Sequence, residues 1–311
     1  MKFVVLGAGA MGCLYGAKLK KAGQDVTFID VNVPHMDAIN ADGLLVKWKD
    51  SEERIRIPAM PAEQFKGVAD ALIVFTKSIF SAAALESLAG AIGPETQLIS
   101  FQNGLGHERV MGKYADKDHI IIGTTNFPSD LLGNGVIASG GEGVTRMMTV
   151  SGKLTPAVKE LNEIFEAAGL HPELTPDVFC AIWEKVAFNA ALNSLTSATL
   201  LPQGYLGQTK EGKELAHAIV TEVCSVANRK GIPADTAHVL ATVDKLFTEH
   251  FDHCPSMFQD VLKGRTTEVE FINGAVVHEA EALGMQVPVT KVLYYLVSIY
   301  QQTYPHRKTT L

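Results

Sequence analysis

Residues 2–12 have the sequence KFVVLGAGAMG, in which a short apolar run leads directly into three spaced glycines. Gly7, Gly9 and Gly12 follow the pattern G-x-G-x-x-G, and the residues after them predict a helix that reaches Ala22. The first glycine permits a tight turn, and the second lets the backbone approach a pyrophosphate at the positive end of the helix. Because strand, glycines and helix occur in the required order, the stretch predicts a dinucleotide-binding loop. The residues of this loop are Gly7, Ala8, Gly9, Ala10, Met11 and Gly12.

The rest of the chain separates into two parts. Apolar strands are predicted at residues 2–6, 26–29, 71–75, 97–101 and 119–123, with helices near 81–91 and 155–169 and one or two edge strands within 133–152. Such near-continuous apolar strands are typical of a parallel sheet covered by helices on both faces. Beyond Pro176 only helices are predicted, at 177–200, 211–231, 235–250, 267–284 and 289–304. We therefore expect a doubly wound, mainly parallel α/β domain at residues 1–175 and an all-α domain at residues 176–311.

Composition narrows the function. Of the 311 residues, 47% are apolar and 20% charged, which is ordinary for a globular protein. The formal charge of −7 argues against nucleic-acid binding, and no apolar run is long enough to span a membrane. Because the first predicted strand begins at the second residue, we expect no signal peptide. The four cysteines are scattered and no His/Cys/Asp cluster is present, so we expect no disulfide framework, no metal and a cytoplasmic location.

Two further residues are candidates for cofactor binding. Asp30 ends the second strand, about twenty residues after the loop, where a carboxylate accepts hydrogen bonds from ribose hydroxyls and repels a 2′-phosphate. It favours NAD over NADP, unless Asp30 is only a turn residue ahead of Pro34. Lys77 follows the strand that ends at Phe75, and either contacts the phosphate or adenine end of a cofactor or lies in solvent.

The candidate reaction site begins with a stripe of three polar residues. Lys185, Asn189 and Asn193 are spaced by four residues in a stretch that is otherwise apolar, so they share one side of a helix. If that helix is buried, the ammonium and the two amides need partners, and a bound carbonyl or carboxylate would satisfy them. The alternative is an ordinary solvated helix face.

Two other segments carry candidate residues. Asn103, in Asn103-Gly104, follows an apolar strand and would lie near the nicotinamide, although Asn-Gly is also a common turn. Glu268 is predicted in the first turn of a helix, on one face with Ile272 and Ala275, and a carboxylate there is also a routine stabiliser of the helix dipole.

Taken together, these motifs resemble the ketopantoate reductase (2-dehydropantoate 2-reductase) family. They occur in the family's order over essentially the whole chain: the glycine loop, Lys77, Asn103-Gly104, Lys185-x3-Asn189-x3-Asn193, Ser256-Met-x-Gln-Asp260 and Thr267-Glu268-x3-Ile272-Asn273-Gly274. The resemblance implies a Rossmann domain joined to a helical domain of the 6-phosphogluconate dehydrogenase-like type, with the active site in the cleft between them. It also implies a homodimer formed through the helical domain, and the apolar face of residues 289–304 is a candidate for that contact, although such a stripe is more often intramolecular core.

The resemblance also implies roles for single residues. Lys185 is similar to the family's catalytic lysine, which donates a proton as hydride reaches the keto carbon of a 2-oxo acid. Asn103, Asn189 and Asn193 resemble the amides that position substrate and nicotinamide. Ser256 and Glu268 resemble the residues that hold the far end of the substrate and order the site. The expected product is the R alcohol.

The chain departs from the family's pattern at two places. Asp30-Val31-Asn32 offers no base for the 2′-phosphate of NADPH, which favours NAD(H). Segments 200–207 and 251–255 lack polar residues usual in the family, which favours branched or aromatic 2-oxo acids, as in NAD-dependent D-2-hydroxyacid dehydrogenases of the D-mandelate type. Ketopantoate reduction remains open as an alternative. Two further alternatives are a non-catalytic dinucleotide-binding protein and another Rossmann dehydrogenase of the 3-hydroxyacid or 6-phosphogluconate type.

Overall fold

The computed structural model describes residues 1–306. It divides into two compact units, one formed by Met1–Gln102 with His107–Val178 and the other by Asn103–Gly106 with the chain from Phe179 onward. The main part of the second unit begins at Phe179, three residues after the start of the helical domain predicted at 176–311. The last five residues of that prediction lie outside the described range. The short segment Asn103–Gly106, which sequence placed in the first domain, is grouped with the second unit.

The first unit is built on an eight-stranded sheet. Its strand order is β12-β11-β8-β7-β6-β1-β2-β5, and every neighbouring pair is parallel except β8 and β11. Those strands are β1 (Lys2–Leu6), β2 (Asp25–Ile29), β5 (Ala59–Met60), β6 (Ala71–Val74), β7 (Gln97–Ser100), β8 (Ile120–Thr125), β11 (Thr145–Thr149) and β12 (Pro172–Leu174). The central strands are buried on both faces, which explains their continuous apolar sequences.

A second sheet of four strands was not predicted. Its order is β4-β3-β10-β9, with β3 (Leu44–Lys47), β4 (Glu52–Ile55), β9 (Asp130–Gly133) and β10 (Val136–Ala138). The region 133–152 was expected to hold one or two edge strands. There β10 and the end of β9 belong to this small sheet, whereas β11 belongs to the main one. The helices of the first unit are α1 (Ala10–Lys21), α2 (Val33–Asp42), α3 (Ser81–Ser87), α4 (His107–Met111) and α5 (Pro156–Ala167).

In the described residues of the second unit, all regular secondary structure is helical, and loops join the helices. Its helices are α6 (Val178–Thr199), α7 (Gln203–Gly207), α8 (Lys210–Arg229), α9 (Thr236–Glu249), α10 (Ser256–Leu262), α11 (Ala275–Ala282) and α12 (Pro288–Gln302). Their inner faces form a core of small and branched side chains, which includes Ala187, Val223 and Val276. The predicted fold class, a mainly parallel α/β domain followed by an all-α domain, is confirmed.

The predicted helix at 267–284 is wrong in its first half. Glu268 lies in a bend, Glu270–Gly274 forms a π-helix, and regular α-helix begins only at Ala275. Glu268, Ile272 and Ala275 therefore do not share one α-helical face, because the wider turn of the π-helix rotates the later residues away from an α-helical spacing.

Candidate functional site

The glycine loop has the geometry that its sequence predicts. Gly7 has a φ of +98°, and a Cβ on it would lie 2.6 Å from the backbone nitrogen of Thr76. A Cβ on Gly12 would lie 2.0 Å from the carbonyl oxygen of Gly7. Both positions thus require glycine, one for its conformation and its neighbour, the other because α1 packs directly against the loop.

The residues of this loop fit a dinucleotide. Gly9 is the N-cap of α1 and has no side chain to cap the helix, and a Cβ there would meet no protein atom within 4 Å. The N-terminus of α1 therefore has uncapped backbone donors next to open space, which is what a pyrophosphate needs. When bound, a nicotinamide dinucleotide supplies the hydride for reduction.

Asp30 joins the end of β2 to the glycine loop. One carboxylate oxygen, Oδ2, accepts a hydrogen bond of 2.7 Å from the backbone N–H of Ala8, and Oδ1 accepts bonds from the N–H groups of Val31 and Asn32 at 2.8 and 2.9 Å. The turn after β2 and the conformation of the loop thus depend on the same side chain.

Lys77 lies just beyond the carboxyl end of β6, the strand next to β1 in the sheet. It follows Thr76, whose backbone packs against Gly7, and it precedes the short 3-10 helix Ser78–Phe80. The side chain is half-buried. Lys77 therefore belongs to the carboxyl end of the sheet, the edge at which ligands of doubly wound folds bind.

The polar stripe of α6 lies on a buried helix. Asn189 and Asn193 are only 7% and 5% exposed, and Lys185 is half-buried. This excludes the ordinary solvated face that the spacing alone left open.

Four buried side-chain atoms within residues 1–306 have no hydrogen-bond partner: Trp48 Nε1, Gln97 Oε1, Ser197 Oγ and Asn273 Oδ1. The amides of Asn189 and Asn193 are absent from that group, so their atoms are either bonded or accessible to a small molecule.

The electrostatic setting of Lys185 differs from that of a surface lysine. Burial lowers the pKa of its ammonium from 10.5 to about 8, and the negative charge of Glu268 partly opposes that change by favouring the charged form. A lysine with such a pKa exchanges a proton readily near neutral pH, which is the property required of a general acid.

The other predicted residues occupy separate segments of the second unit. Asn103 is half-buried in the segment Asn103–Gly106, and Glu268 is half-buried in the bend before the π-helix. Ser256 is the first residue of α10 and is exposed. Asp260, in the same motif as Ser256, is buried and paired with Arg265, whose Nε and Nη2 lie 2.9 and 2.8 Å from Oδ1. Asp260 therefore has a structural role in holding the turn after α10.

Two structural features near these residues, the π-helix and a long-range hydrogen bond of Asn273, were not predicted from the sequence. The π-helix Glu270–Gly274 lies within the stretch for which the sequence predicted a regular helix. The hydrogen bond from Asn273 Nδ2 to the carbonyl of Ala190, 3.0 Å long, joins positions 83 residues apart. Only the quoted motif Ile272-Asn273-Gly274 pointed to this region.

The described part of the chain contains neither a cluster of metal ligands nor a membrane-spanning helix. Among residues 1–306 no three or more His, Cys, Asp or Glu side chains lie together as metal ligands. Over the same range, no helix has both the length and the apolar character needed to cross a membrane.

These features define a class of protein: an oxidoreductase that uses a nicotinamide dinucleotide and combines a Rossmann-type unit with a helical unit. Comparison with known proteins makes the class specific. The family model "Ketopantoate reductase PanE/ApbA" matches residues 3–152, and the model of the family's C-terminal domain matches residues 177–301. The chain belongs to the ketopantoate reductase family.

Individual relatives are similar over nearly their whole length. A 2-dehydropantoate 2-reductase of Streptococcus pyogenes serotype M3 is 30% identical over 298 residues, which cover 96% of this chain and 97% of the relative. A solved structure of D-mandelate dehydrogenase with NADH and anilino(oxo)acetate superposes with a TM-score of 0.94 at 28% identity, covering 98% of this chain and 100% of that one. A PanE/ApbA family ketopantoate reductase from Ralstonia eutropha JMP134 gives a TM-score of 0.89 at 27% identity, covering 98% and 100% of the two chains.

Proposed function

We propose that this chain transfers a hydride between NAD(H) and C2 of a branched or aromatic 2-oxo acid, with Lys185 as the proton donor. The observation that carries the proposal is the state of Lys185, a half-buried ammonium on a buried helix whose pKa is lowered to about 8. Burying a lysine costs stability unless its ammonium is paired or hydrogen-bonded, and a lowered lysine pKa is typical of acid–base catalysis.

The chemistry follows from the residue types. As hydride adds to the keto carbon, the electron pair of the C=O π bond moves to oxygen, where negative charge develops. The ammonium of Lys185 stabilises that charge and neutralises it by giving one proton, which leaves a neutral amine that regains a proton from solvent. Glu268 favours the charged state of Lys185 before the step. Asn103, Asn189 and Asn193 orient the substrate and the nicotinamide, and Ser256 contacts the far end of the acid.

The preference for NAD(H) rests on Asp30. A carboxylate has about four lone pairs, and the N–H groups of Val31, Asn32 and Ala8 use three of them. The remaining one belongs to Oδ2, the oxygen that faces the glycine loop, and it suits a ribose hydroxyl. A 2′-phosphate would bring negative charge to the same oxygen, and neither Val31 nor Asn32 is basic. The NADH in the similar D-mandelate dehydrogenase structure supports the same choice.

The preference for an apolar substrate rests on the two segments that depart from the family's pattern. They pack on each other: the backbone N–H of Gly204 donates to the carbonyl of Phe251 at 2.9 Å, and the rings of Tyr205 and Phe251 are 4.8 Å apart. Gln203, the amide of segment 200–207, is buried, and its Nε2 donates to the carbonyls of Leu246 and His250 at 3.0 and 3.1 Å. The region therefore contributes aromatic surface, and the amide donor of Gln203 is already engaged.

Ketopantoate is the second candidate substrate, because the relatives at 30% identity are named 2-dehydropantoate 2-reductases. One experiment separates the two: kcat/KM of the purified protein for phenylglyoxylate, 2-oxoisovalerate and ketopantoate, each with NADH and NADPH. We expect the highest value for phenylglyoxylate or 2-oxoisovalerate with NADH. A clear maximum for ketopantoate with NADPH would refute both the preference for NAD(H) inferred from Asp30 and the preference for an apolar substrate inferred from the contact of Tyr205 with Phe251.

The same assay tests catalysis itself. Lys185→Ala should lose most of kcat and keep its affinity for NADH. Turnover retained by this variant would refute the proton-donor role, and no turnover by the wild type with any 2-oxo acid would favour the non-catalytic alternative.

A homodimer is also proposed, through α12. Val292, Tyr295, Leu296 and Ile299 are spaced along one side of this helix and are 44–56% exposed, whereas Leu293 and Val297 on the opposite side are buried in the core. An exposed apolar stripe of this kind is typical of a contact surface.

A further inference from the structure

The π-helix Glu270–Gly274 lies next to three of the segments that carry candidate site residues. Its wide turn is defined by the hydrogen bond from the N–H of Gly274 to the carbonyl of Val269, 2.9 Å long and five residues apart. π-Helices are rare and occur frequently at functional sites, because the extra residue shifts side chains out of α-helical register.

The first contact is with the segment that carries Asn103. The backbone N–H of Leu105 donates to the carbonyl of Phe271 at 2.9 Å. Gly104 has a φ of +100°, and a Cβ on it would lie 2.4 Å from the same carbonyl oxygen. The turn after Asn103 is therefore fitted to the π-helix so closely that only glycine is accommodated.

The second contact is with Glu268. Its carbonyl accepts hydrogen bonds from the N–H groups of Phe271 and Ile272, at 3.0 and 3.1 Å. The backbone of Glu268 is thus part of the turn that opens the π-helix, so the position of its carboxylate depends on where the π-helix lies.

The third contact is with α6. Asn273 is fully buried, and its Nδ2 donates to the carbonyl of Ala190, which directly follows Asn189. The Oδ1 atom of Asn273 has no hydrogen-bond partner within residues 1–306. A buried acceptor without a partner is unfavourable. The bond made by Nδ2 joins the π-helix to the helix that carries Lys185.

We propose that Asn273 is a positioning residue, which holds the π-helix against α6 so that Glu268 and the Asn103 segment keep a fixed placement relative to Lys185. This inference rests on the proposed function, in which Lys185 donates the proton. Asn273 itself touches neither reactant in this proposal, and acts only through the backbone of Ala190 and the π-helix.

The test compares Asn273→Ala with Ser197→Ala. Ser197 is a matched control because it is also fully buried, also has an unpartnered side-chain oxygen, and lies on α6 itself. We expect Asn273→Ala to lower kcat by about 10- to 100-fold, since small displacements of catalytic groups have effects of that size. The descending limb of kcat/KM against pH should also shift, because the distance between Glu268 and Lys185 is no longer fixed. NADH affinity should not change, and Ser197→Ala should match the wild type in all three measurements.

Several outcomes would overturn the inference. Wild-type kcat and an unshifted pH limb in Asn273→Ala would do so, as would equal losses in Ser197→Ala, which would indicate general destabilisation. If Asn273→Ala does not fold, Gly104→Ala disturbs the same π-helix from the other side and should give the same pH shift; an unshifted limb there counts against the proposal.

The result with Lys185→Ala separates this inference from the proposed function. If Lys185→Ala retains turnover, the proposed function fails. If Lys185→Ala is inactive while Asn273→Ala behaves as the wild type, only the positioning role fails.

Discussion

The titration of Lys185 is the most direct consequence of the structure. Burial lowers the pKa of this ammonium from 10.5 to about 8, so the group changes its charge within the range in which the enzyme can be assayed. With a pKa of about 8, about ten molecules in eleven carry the proton at pH 7, and about one in eleven at pH 9. For an ordinary lysine almost all would still carry it at pH 9.

The rate of 2-oxo acid reduction should therefore be flat below pH 7 and fall about tenfold for each pH unit well above 8, because the proton donor is lost. Oxidation of the corresponding 2-hydroxy acid should show the opposite limb, since it needs the neutral amine. The measurement is kcat/KM at 340 nm between pH 6 and 10 in both directions, which reports the free enzyme. A reduction rate that stays flat to pH 10 would refute the assignment.

Glu268→Gln sharpens this test. The carboxylate of Glu268 favours charged Lys185, so its removal should move the descending limb to lower pH than in the wild type. Glu270→Gln is the matched control: Glu270 is an exposed carboxylate two residues away that bonds to the hydroxyl of Tyr294. Equal shifts in the two variants would mean that general charge, and not Glu268, sets the pKa of Lys185.

Three further predictions concern the cofactor and the assembly. Gly9→Ala should leave Tm unchanged yet raise the Kd for NADH about tenfold or more, because its Cβ enters only the open space above α1. Gly12→Ala should instead lower Tm, because its Cβ would lie 2.0 Å from the carbonyl oxygen of Gly7. Calorimetry measures Tm and NADH titration measures Kd, and equal losses of Tm in the two variants would contradict the argument. Asp30→Asn should reduce the preference for NADH over NADPH in kcat/KM by about tenfold, while Asp25→Asn, at the other end of β2, should not change it. Ile299→Lys, at an exposed site of α12, should yield monomers in analytical ultracentrifugation without loss of Tm, and a persistent dimer would place the interface elsewhere.

Local periodicity explains why much of the fold was predictable. Strands such as Ala71–Val74 are buried on both faces, and their sequences show this without any knowledge of neighbours. The small sheet gave no such signal. The residues of β9 are all exposed, and β10 pairs in parallel with β3, about ninety residues earlier, so neither apolar pattern nor short-range turn chemistry reveals it.

The candidate site divides in the same way. The positions of Lys185, Asn189 and Asn193 on one helix follow from their spacing alone. Their burial does not, because the same spacing fits a solvated helix face, and the packing of the folded chain decides between the two. The bond from Asn273 to Ala190 and the π-helix depend on contacts between distant parts of the chain, which no local pattern encodes. Glu268 is an intermediate case: the sequence identifies its segment but not the turn that follows it, because the π-helix is defined by the backbone hydrogen bond from Gly274 to Val269.

Asp30 shows that a structural and a functional reading of one residue need not exclude each other. Its bonds to Val31 and Asn32 make it a turn residue, its bond to Ala8 fixes the glycine loop, and one lone pair is still left for a ribose. Replacement by alanine would therefore remove the support of the loop together with the charge, and would weaken the binding of both cofactors. Asparagine removes the charge and keeps one acceptor oxygen, which serves either the N–H of Ala8 or the N–H groups of Val31 and Asn32, while its NH2 group replaces the other acceptor. It therefore disturbs the loop less than alanine does. A change of cofactor preference in this chain should accordingly begin from Asp30→Asn with a basic residue at position 31, where the Val31 side chain is 95% exposed and free to accommodate one.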